Sequence, residues 1–146
     1  MRAFRYKQHF EQSREEIFAF ITDLSTAPRW RNLVRHCEVE GGGPMRQGSI
    51  VLLTLDVGGK TMRVPSEVWL YEPPHRYGHH NITNGVKGVF EYYLEADGNG
   101  TTVSFSGDVR PYGWMWLFLP VILRTLSYRY RGQLAALKQA MEMKKV

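Results

Sequence analysis

The sequence predicts an α+β fold in which one curved antiparallel sheet of six to seven strands wraps around a long C-terminal helix. Short apolar segments, rich in β-branched and aromatic residues, fill the middle of the 146-residue chain. Turn signals as short as GGGP, GGK and DGNG separate these segments, so neighbouring strands must pair antiparallel. After Tyr112 the apolar residues change from strand spacing to helical spacing, which predicts the helix.

Composition and charge are those of an ordinary globular protein. The length suits one domain over residues 1–146 with a core of its own. The net charge of +5 gives a weak preference for anions, but no nucleic-acid motif accompanies it, so we expect no nucleic-acid partner. A single cysteine, Cys37, excludes an internal disulfide and fits a cytoplasmic location. The first ten residues lack the apolar core of a secretory signal.

The first elements are a strand and a short helix. The segment AFRYKQHFEQ alternates in polarity as a strand does, with Phe4 and Tyr6 on one face. Ser13 and Glu16 then form the capping-box pattern that starts a helix. Apolar residues at helical spacing over 17–21 give this helix one apolar face.

A second short helix and six strands follow. Ser25 repeats the start signal, Pro28 favours a first helical turn, and the helix should end near Trp30. The strands that we expect after it are LVRHCEVE, GSIVLLTLDV, TMRVPSEVWLY, RYGHHNI, GVFEYYLEA and TTVSFSGDVR. With the first strand they make a sheet of seven.

One apolar stripe marks the C-terminal helix. Its members are spaced by three or four residues: Leu119, Leu123, Leu126, Tyr130, Leu134, Leu137 and Met141. A wide sheet twists and curls, so this helix should lie in its concave trough. Because a gripped helix rarely fills such a trough, we expect a cavity between the two, with Leu119 and Leu123 in its wall.

The run WMWLFLPVIL, Trp114 to Leu123, is the most hydrophobic stretch of the chain. It is too short to span a bilayer, which takes about 20 apolar residues, and Arg124 ends it. Pro120 suits either the first turn of the long helix or a kink within it. We expect Trp114 and Trp116 to lie at the mouth of the trough and to gate the cavity.

The strand alternation selects an inward face. Phe90, Tyr92 and Leu94 share one face of their strand, and Phe105 shares a face of the next with Gly107. These sets should point at the helix. We expect each residue to pack in the core and the group as a whole to line a pocket. Gly107 lacks a side chain in an inward row, which indicates a cavity or a β-bulge.

Four segments have the order and spacing of a known family: SREEIFAFITDLSTAPRW, YEPPHRY, GNGTTVSFS and LAALKQAME. The first holds a capped helix ending at Asp23 and a short helix ending at Trp30, and the second holds a turn at Pro73 and Pro74. Across nearly its whole length the chain resembles the START-like, or SRPBCC, superfamily, above all its polyketide cyclase/dehydrase and lipid-transport group. The resemblance implies a helix-grip fold with a deep apolar cavity. Members bind lipids, sterols, quinones, hormones or polyketides, and some are enzymes.

The same resemblance implies that Tyr77 and His79, which follow the Pro-Pro turn, face the cavity. A cavity histidine can act as a general acid or base because its ordinary pKa is near neutrality. Tyr77 or Tyr92 would then polarise a substrate carbonyl. The alternative is a His79 that only donates a hydrogen bond to a backbone carbonyl.

Metal binding and nucleophilic catalysis have no support in the sequence. The histidines do not form a ligand-spaced cluster: His9, His36, His75, His79 and His80. Cys37 has no basic neighbour or helix start that would activate its thiol and should face the core. We therefore expect neither a metal nor another cofactor.

The leading hypothesis is a non-enzymatic binding or carrier protein for a hydrophobic small molecule such as a lipid, a quinone or a polyketide-like compound, acting as a monomer or homodimer. The residues expected to contact the ligand are Trp30, Tyr77, His79, Phe90, Tyr92, Phe105, Trp114, Trp116, Leu119 and Leu123.

Two alternatives stay open. The first is an aromatase/cyclase or dehydratase of polyketide-like substrates that uses His79. The second is a protein-interaction module, or a weak contact with an anionic membrane surface, through basic residues of the last helix. These are Arg124, Arg129, Arg131, Lys138, Lys144 and Lys145.

Overall fold

The computed structural model describes residues 1–83 and 85–143 and contains one seven-stranded antiparallel sheet. Its strands are β1 (Arg2–Phe10), β2 (Val34–Val39), β3 (Ile50–Val57), β4 (Lys60–Glu72), β5 (Arg76–Thr83), β6 (Val86–Asp97) and β7 (Gly100–Pro111). Strands β2 to β7 form a meander, and β1 pairs with β7 at the far edge. The predicted α+β helix-grip fold is confirmed, with the first strand as the seventh of the sheet.

Two short helices lie between β1 and β2, as predicted. They are α1 (Arg14–Thr22) and a first 3₁₀ helix (Leu24–Arg29). Ser13 caps α1, since the Glu16 N–H donates to its Oγ at 3.2 Å. The start signal of the 3₁₀ helix is Asp23, whose Oδ1 accepts from the Ser25 N–H at 3.1 Å. The prediction that Ser25 is this start was therefore two residues late.

The C-terminal helix is divided, where the stripe predicted one continuous helix. A second 3₁₀ helix (Gly113–Phe118) leads into α2 (Leu119–Tyr130), and α3 (Gln133–Met143) follows after Arg131 and Gly132. Glycine is costly inside a helix because its backbone loses the most freedom, which favours a break there. Pro120 lies in the first turn of α2 and does not kink it.

The two helices use the stripe differently. In α3, Leu134, Leu137 and Met141 are buried against the rest of the molecule, whereas none of the described side chains of α2 is fully buried. The described basic residues of this region are mainly solvated, with Arg124, Arg129 and Arg131 exposed. Lys144 and Lys145 lie outside the described residues.

A layer of aromatic rings fills most of the trough between the sheet and the helices. Tyr92 and Phe105 stack with ring centroids 4.4 Å apart, and Phe4 lies 5.0 Å from Phe105. Tyr130 of α2 extends the layer, 5.3 Å from Phe90. The space that the curved sheet leaves is therefore occupied by side chains along β1, β7 and the middle of β6.

Gly107 makes room for an aromatic ring and not for a ligand. A Cβ at this position would overlap the ring of Phe4, which lies directly against the glycine. The pairing register of β1 shifts between Arg2 and Phe4, so a β-bulge lies beside Gly107 in the partner strand. The prediction that Gly107 marks a cavity is wrong, and the β-bulge that was the alternative lies in the neighbouring strand β1.

Candidate ligand-binding site

An apolar cavity of about 280 Å³ remains between α2 and strands β3 to β6. Its sheet side is formed by residues whose side chains or backbone face α2: Leu55, Val64, Asn81, Thr83, Val86, Gly88 and Phe90. Its other side is formed by α2 and the turn before it: Met115, Val121, Ile122, Thr125, Leu126, Arg129 and Tyr130. A larger hollow of about 520 Å³ at the β2–β3 turn is lined mainly by polar and glycine residues of a loop, and one of about 550 Å³ lies beside α1 at the Pro73–Pro74 turn.

The floor of the cavity depends on Gly88. A Cβ there would come within 2.9 Å of Phe90 Cε2, because the Phe90 ring lies back along its own strand over the glycine. The ring thereby covers the sheet with an apolar surface below Ile122 and Leu126. Asn81, Thr83, Thr125 and Arg129 contribute the few polar groups of the lining, the usual composition of a small-molecule site.

The predicted ligand-contacting residues divide into three groups. Phe90 lines the cavity. Others are buried and packed on one another away from it, namely Trp30, Tyr77, His79, Tyr92 and Phe105. The rest belong to the run before and within α2, where Leu119 and Leu123 are half-buried and do not line the cavity found among the described residues.

The second 3₁₀ helix turns Met115 toward the cavity and its two tryptophan neighbours away from it. Trp114 is 69 % and Trp116 50 % exposed. Because a 3₁₀ helix repeats every three residues, Met115 and the residues on either side of it cannot share a face. Met115 lines the cavity and neither tryptophan does, so the prediction that both tryptophans contact a ligand there gains no support, and their place at its mouth stays a prediction. Gating by this turn stays a prediction.

A chain of polar contacts runs beneath the cavity floor. Arg31 Nη2 lies 3.4 Å from His79 Nε2, and Ser66 Oγ lies 3.1 Å from His79 Nδ1. Arginine has no acceptor, so Nε2 must accept and Nδ1 must carry the proton that it donates to Ser66. Ser66 Oγ can then donate to the carbonyl of His80 at 3.5 Å. His79 is thus a neutral imidazole with both ring nitrogens hydrogen-bonded.

The two tyrosines predicted to polarise a substrate carbonyl, Tyr77 and Tyr92, are also neutral, and both hydroxyls are hydrogen-bonded. Burial raises the pKa of Tyr77 to about 12, and its hydroxyl donates to Met45 Sδ at 3.6 Å. Burial likewise raises the pKa of Tyr92, whose hydroxyl accepts from Gln133 Nε2 at 2.5 Å. Phe90, which stacks on His79 at 5.2 Å, separates this layer from the cavity. The structure brings Tyr77, His79 and Tyr92 into one layer but does not place them on the cavity surface.

A pH-dependent stability follows from His79. Burial lowers its pKa well below the ordinary value, and the positive charge of Arg31 and His80 lowers it further. The unfolded chain, with a histidine pKa of about 6.5, binds a proton there that the folded chain does not. Stability is therefore complete above about pH 6.5 and falls as the pH is lowered, by up to about 1.4 kcal/mol per pH unit.

Urea unfolding of the wild type and of His79→Gln, repeated from pH 7.5 to 5, measures this effect. The wild type should lose more stability on acidification than the variant, in which the titrating group is absent. Parallel curves would show that His79 is protonated alike in both states.

Cys37 and the metal-ligating side chains of residues 1–83 and 85–143 do not form a second candidate catalytic or metal site. Burial raises the pKa of the Cys37 thiol, which lies 3.5 Å from the carbonyl oxygen of Leu24. Within the described residues no three of the histidine, cysteine and acidic side chains come together as metal ligands. In the same residues no helix combines the length and hydropathy needed to cross a bilayer.

A family model described as polyketide cyclase / dehydrase and lipid transport matches residues 1–142. The chain belongs to this family. The resemblance inferred from the four sequence segments is confirmed. No match was found among curated proteins.

Solved structures similar to this family member share its fold at low identity. The protein TTHA0849 from Thermus thermophilus has a TM-score of 0.76 at 13% identity, over 97% of this chain and 98% of its own. A START superfamily protein from Mycobacterium smegmatis has a TM-score of 0.72 at 14% identity, over 96% and 97%. The di-domain ARO/CYC StfQ from the steffimycin biosynthetic pathway has a TM-score of 0.76 at 12% identity, over 98% of this chain and 52% of its own.

Proposed function

We propose that the protein binds, and thereby carries, a small hydrophobic molecule in the cavity between α2 and the sheet. The observation that supports this most is the cavity itself, about 280 Å³ of largely apolar space beside a packed core. Small-molecule sites commonly measure roughly 300–1,000 Å³. The ligand is therefore small, with one alkyl chain or a compact ring system and not several chains.

Burial of apolar surface would supply most of the affinity. Each methylene moved out of water contributes about 0.8 kcal/mol, which is about a fourfold change in the dissociation constant. Asn81, Thr125 and Arg129 would orient a polar group at the rim. Because Met115 and Val121 form the outer edge, the ligand would enter beside the second 3₁₀ helix.

A series of straight-chain alcohols tests this proposal. Binding of hexan-1-ol to dodecan-1-ol, measured by displacement of a fluorescent apolar probe, should tighten about fourfold per added methylene. The gain should stop where the chain fills the cavity. Affinity that is independent of chain length, or that still rises at dodecan-1-ol, would contradict binding in a cavity of this size.

The geometry favours binding over the cyclase or dehydratase alternative. Acid–base catalysis needs a titrating group within hydrogen-bond reach of the substrate. His79, Tyr77 and Tyr92 are buried, are neutral and have partners, and Phe90 lies between His79 and the cavity.

A further inference from the structure

A second hollow lies on the other side of the end of α2. It measures about 410 Å³ and is formed by the loop after the first 3₁₀ helix and by the junction of α2 and α3. Three arginines, Arg29, Arg31 and Arg129, belong to its lining. Within the part of the lining that the structure describes there is no aspartate or glutamate. The hollow is thus strongly positive.

Arg31 is the central cation of this hollow. It is half-buried, its side chain contacts the neutral His79 ring, and no ion pair with a carboxylate is found for it among the described residues. A partly buried charge without a counter-ion is unfavourable, and a bound anion would relieve that cost. The planar guanidinium group matches the two oxygens of a carboxylate or phosphate.

The start of α3 adds neutral donors to the same hollow. Gly132 and Gln133 line it, so the N-terminus of this eleven-residue helix, whose first N–H groups have no partner within the helix, forms part of its wall. Gln133 is only 4 % exposed, and its side-chain Oε1 has no hydrogen-bond partner. If the amide is turned over, Tyr92 donates to Oε1 and the NH₂ group becomes the free donor. Only the turned-over amide can donate to an anion, because an unpaired Oε1 would repel one.

The positive hollow and the apolar cavity meet at the end of α2. Arg129 lines both of them. One molecule with an apolar part and an acidic end could therefore occupy both spaces.

We propose that the positive hollow binds the carboxylate or phosphate of an amphiphilic ligand whose apolar part fills the cavity. This inference rests on the proposed function, because the apolar cavity holds the rest of the ligand. Arg31 and Arg129 bind the acidic oxygens, and Gln133, with its amide turned over, adds an uncharged donor. Arg29 contributes charge from a fixed position, since its Nη2 donates to the Ala140 carbonyl at 3.1 Å.

Three ligands of equal chain length test the headgroup preference. Decanoic acid, decyl phosphate and decan-1-ol are titrated at pH 8 below their aggregation concentrations. Hydrogen bonds to a charged group contribute about 1.5–3 kcal/mol, so the wild type should bind both anions at least about tenfold more tightly than the alcohol. Arg31→Gln should remove this preference, and a circular dichroism spectrum like that of the wild type would show that the variant is folded. Arg129→Gln, at an exposed position, should weaken the binding of the anions in the same direction.

Arg5→Gln is the matched control. It removes the same charge from an exposed position of β1, between the inward Phe4 and Tyr6 and so on the outer face of the sheet. The anion preference should survive this change. If it falls as much as in Arg31→Gln, the preference is a net-charge effect and the proposal is overturned.

A titration with inorganic phosphate distinguishes a site for a ligand's headgroup from a site for a free anion. In ¹⁵N spectra, phosphate should shift the side-chain amide of Gln133 in the wild type and not in Arg31→Gln. Phosphate shifts without any preference for decanoic acid over decan-1-ol would mean a site for a free anion, which overturns the proposal. Absence of both effects overturns it as well. If decan-1-ol fails to bind while phosphate shifts Gln133, the proposed function fails and the anion site stands.

Discussion

Replacing Phe105 with alanine is expected to lower the free energy of unfolding by about 3–5 kcal/mol. Phe105 is 1 % exposed and lies at the centre of the aromatic layer, stacked on Tyr92 and in contact with Phe4 and Tyr130. Rings packed on several sides cannot all move into the space that the substitution leaves, so a cavity cost adds to the lost burial. Urea unfolding followed by circular dichroism measures the change.

Trp114→Ala is the control for this prediction. The side chain of Trp114 is larger than that of Phe105, but it is mostly exposed, and its ring meets that of Phe118 edge-on at a centroid distance of 5.7 Å. Its removal should change stability by no more than about 0.5 kcal/mol. Similar losses in the two variants would contradict the view that the aromatic layer is the core and the second 3₁₀ helix a surface feature.

Replacing Ile122 with tryptophan is expected to weaken binding of decan-1-ol by more than tenfold while the protein stays folded. The side chain of Ile122 is half-buried and lines the cavity, so a larger ring occupies space meant for the ligand. Exclusion of two methylenes alone costs about 1.6 kcal/mol, or about fifteenfold in affinity. Because the ring enters an existing cavity, it should not strain the core as overpacking does.

The matched control is Leu117→Trp, which adds the same ring at a nearby position that is 81 % exposed and outside the cavity lining. Displacement titrations of both variants with decan-1-ol give the comparison. Equal affinities for Ile122→Trp and the wild type would place the alcohol elsewhere, even if the protein binds it.

Local patterns in the sequence predicted the fold because each element carries its own signals. Ser13 capping of α1, the short turns between strands and the alternation of Phe90, Tyr92 and Leu94 all report on near neighbours in the chain. The position of the cavity depends instead on how side chains of different strands pack on one another. Alternation shows which side chains face inward but not whether neighbouring rings touch, and Tyr92 and Phe105 fill the space in which a ligand was expected.

The break at Gly132 and the place of Arg31 show the same limit. A stripe of apolar residues runs through Gly132 without a gap, so spacing alone predicts one helix, although the glycine marks the weak point. Arg31 lies in an irregular segment and meets His79, which is 48 residues away, only through the tertiary fold. In the cavity wall, Leu126 and Tyr130 belong to the predicted stripe, whereas Ile122, four residues before Leu126, lies beside the stripe and was not predicted.

The central claim is that an apolar ligand lies between α2 and the sheet, and intermolecular nuclear Overhauser effects test it most directly. In the complex with decan-1-ol, we predict effects from the alkyl chain to the methyl groups of Ile122, Leu126 and Leu55. The indole of the exposed Trp114 should show none. Effects confined to Trp114, Trp116 and Leu117 would contradict the claim, because the alcohol would then bind the outer surface of the turn and leave the cavity empty.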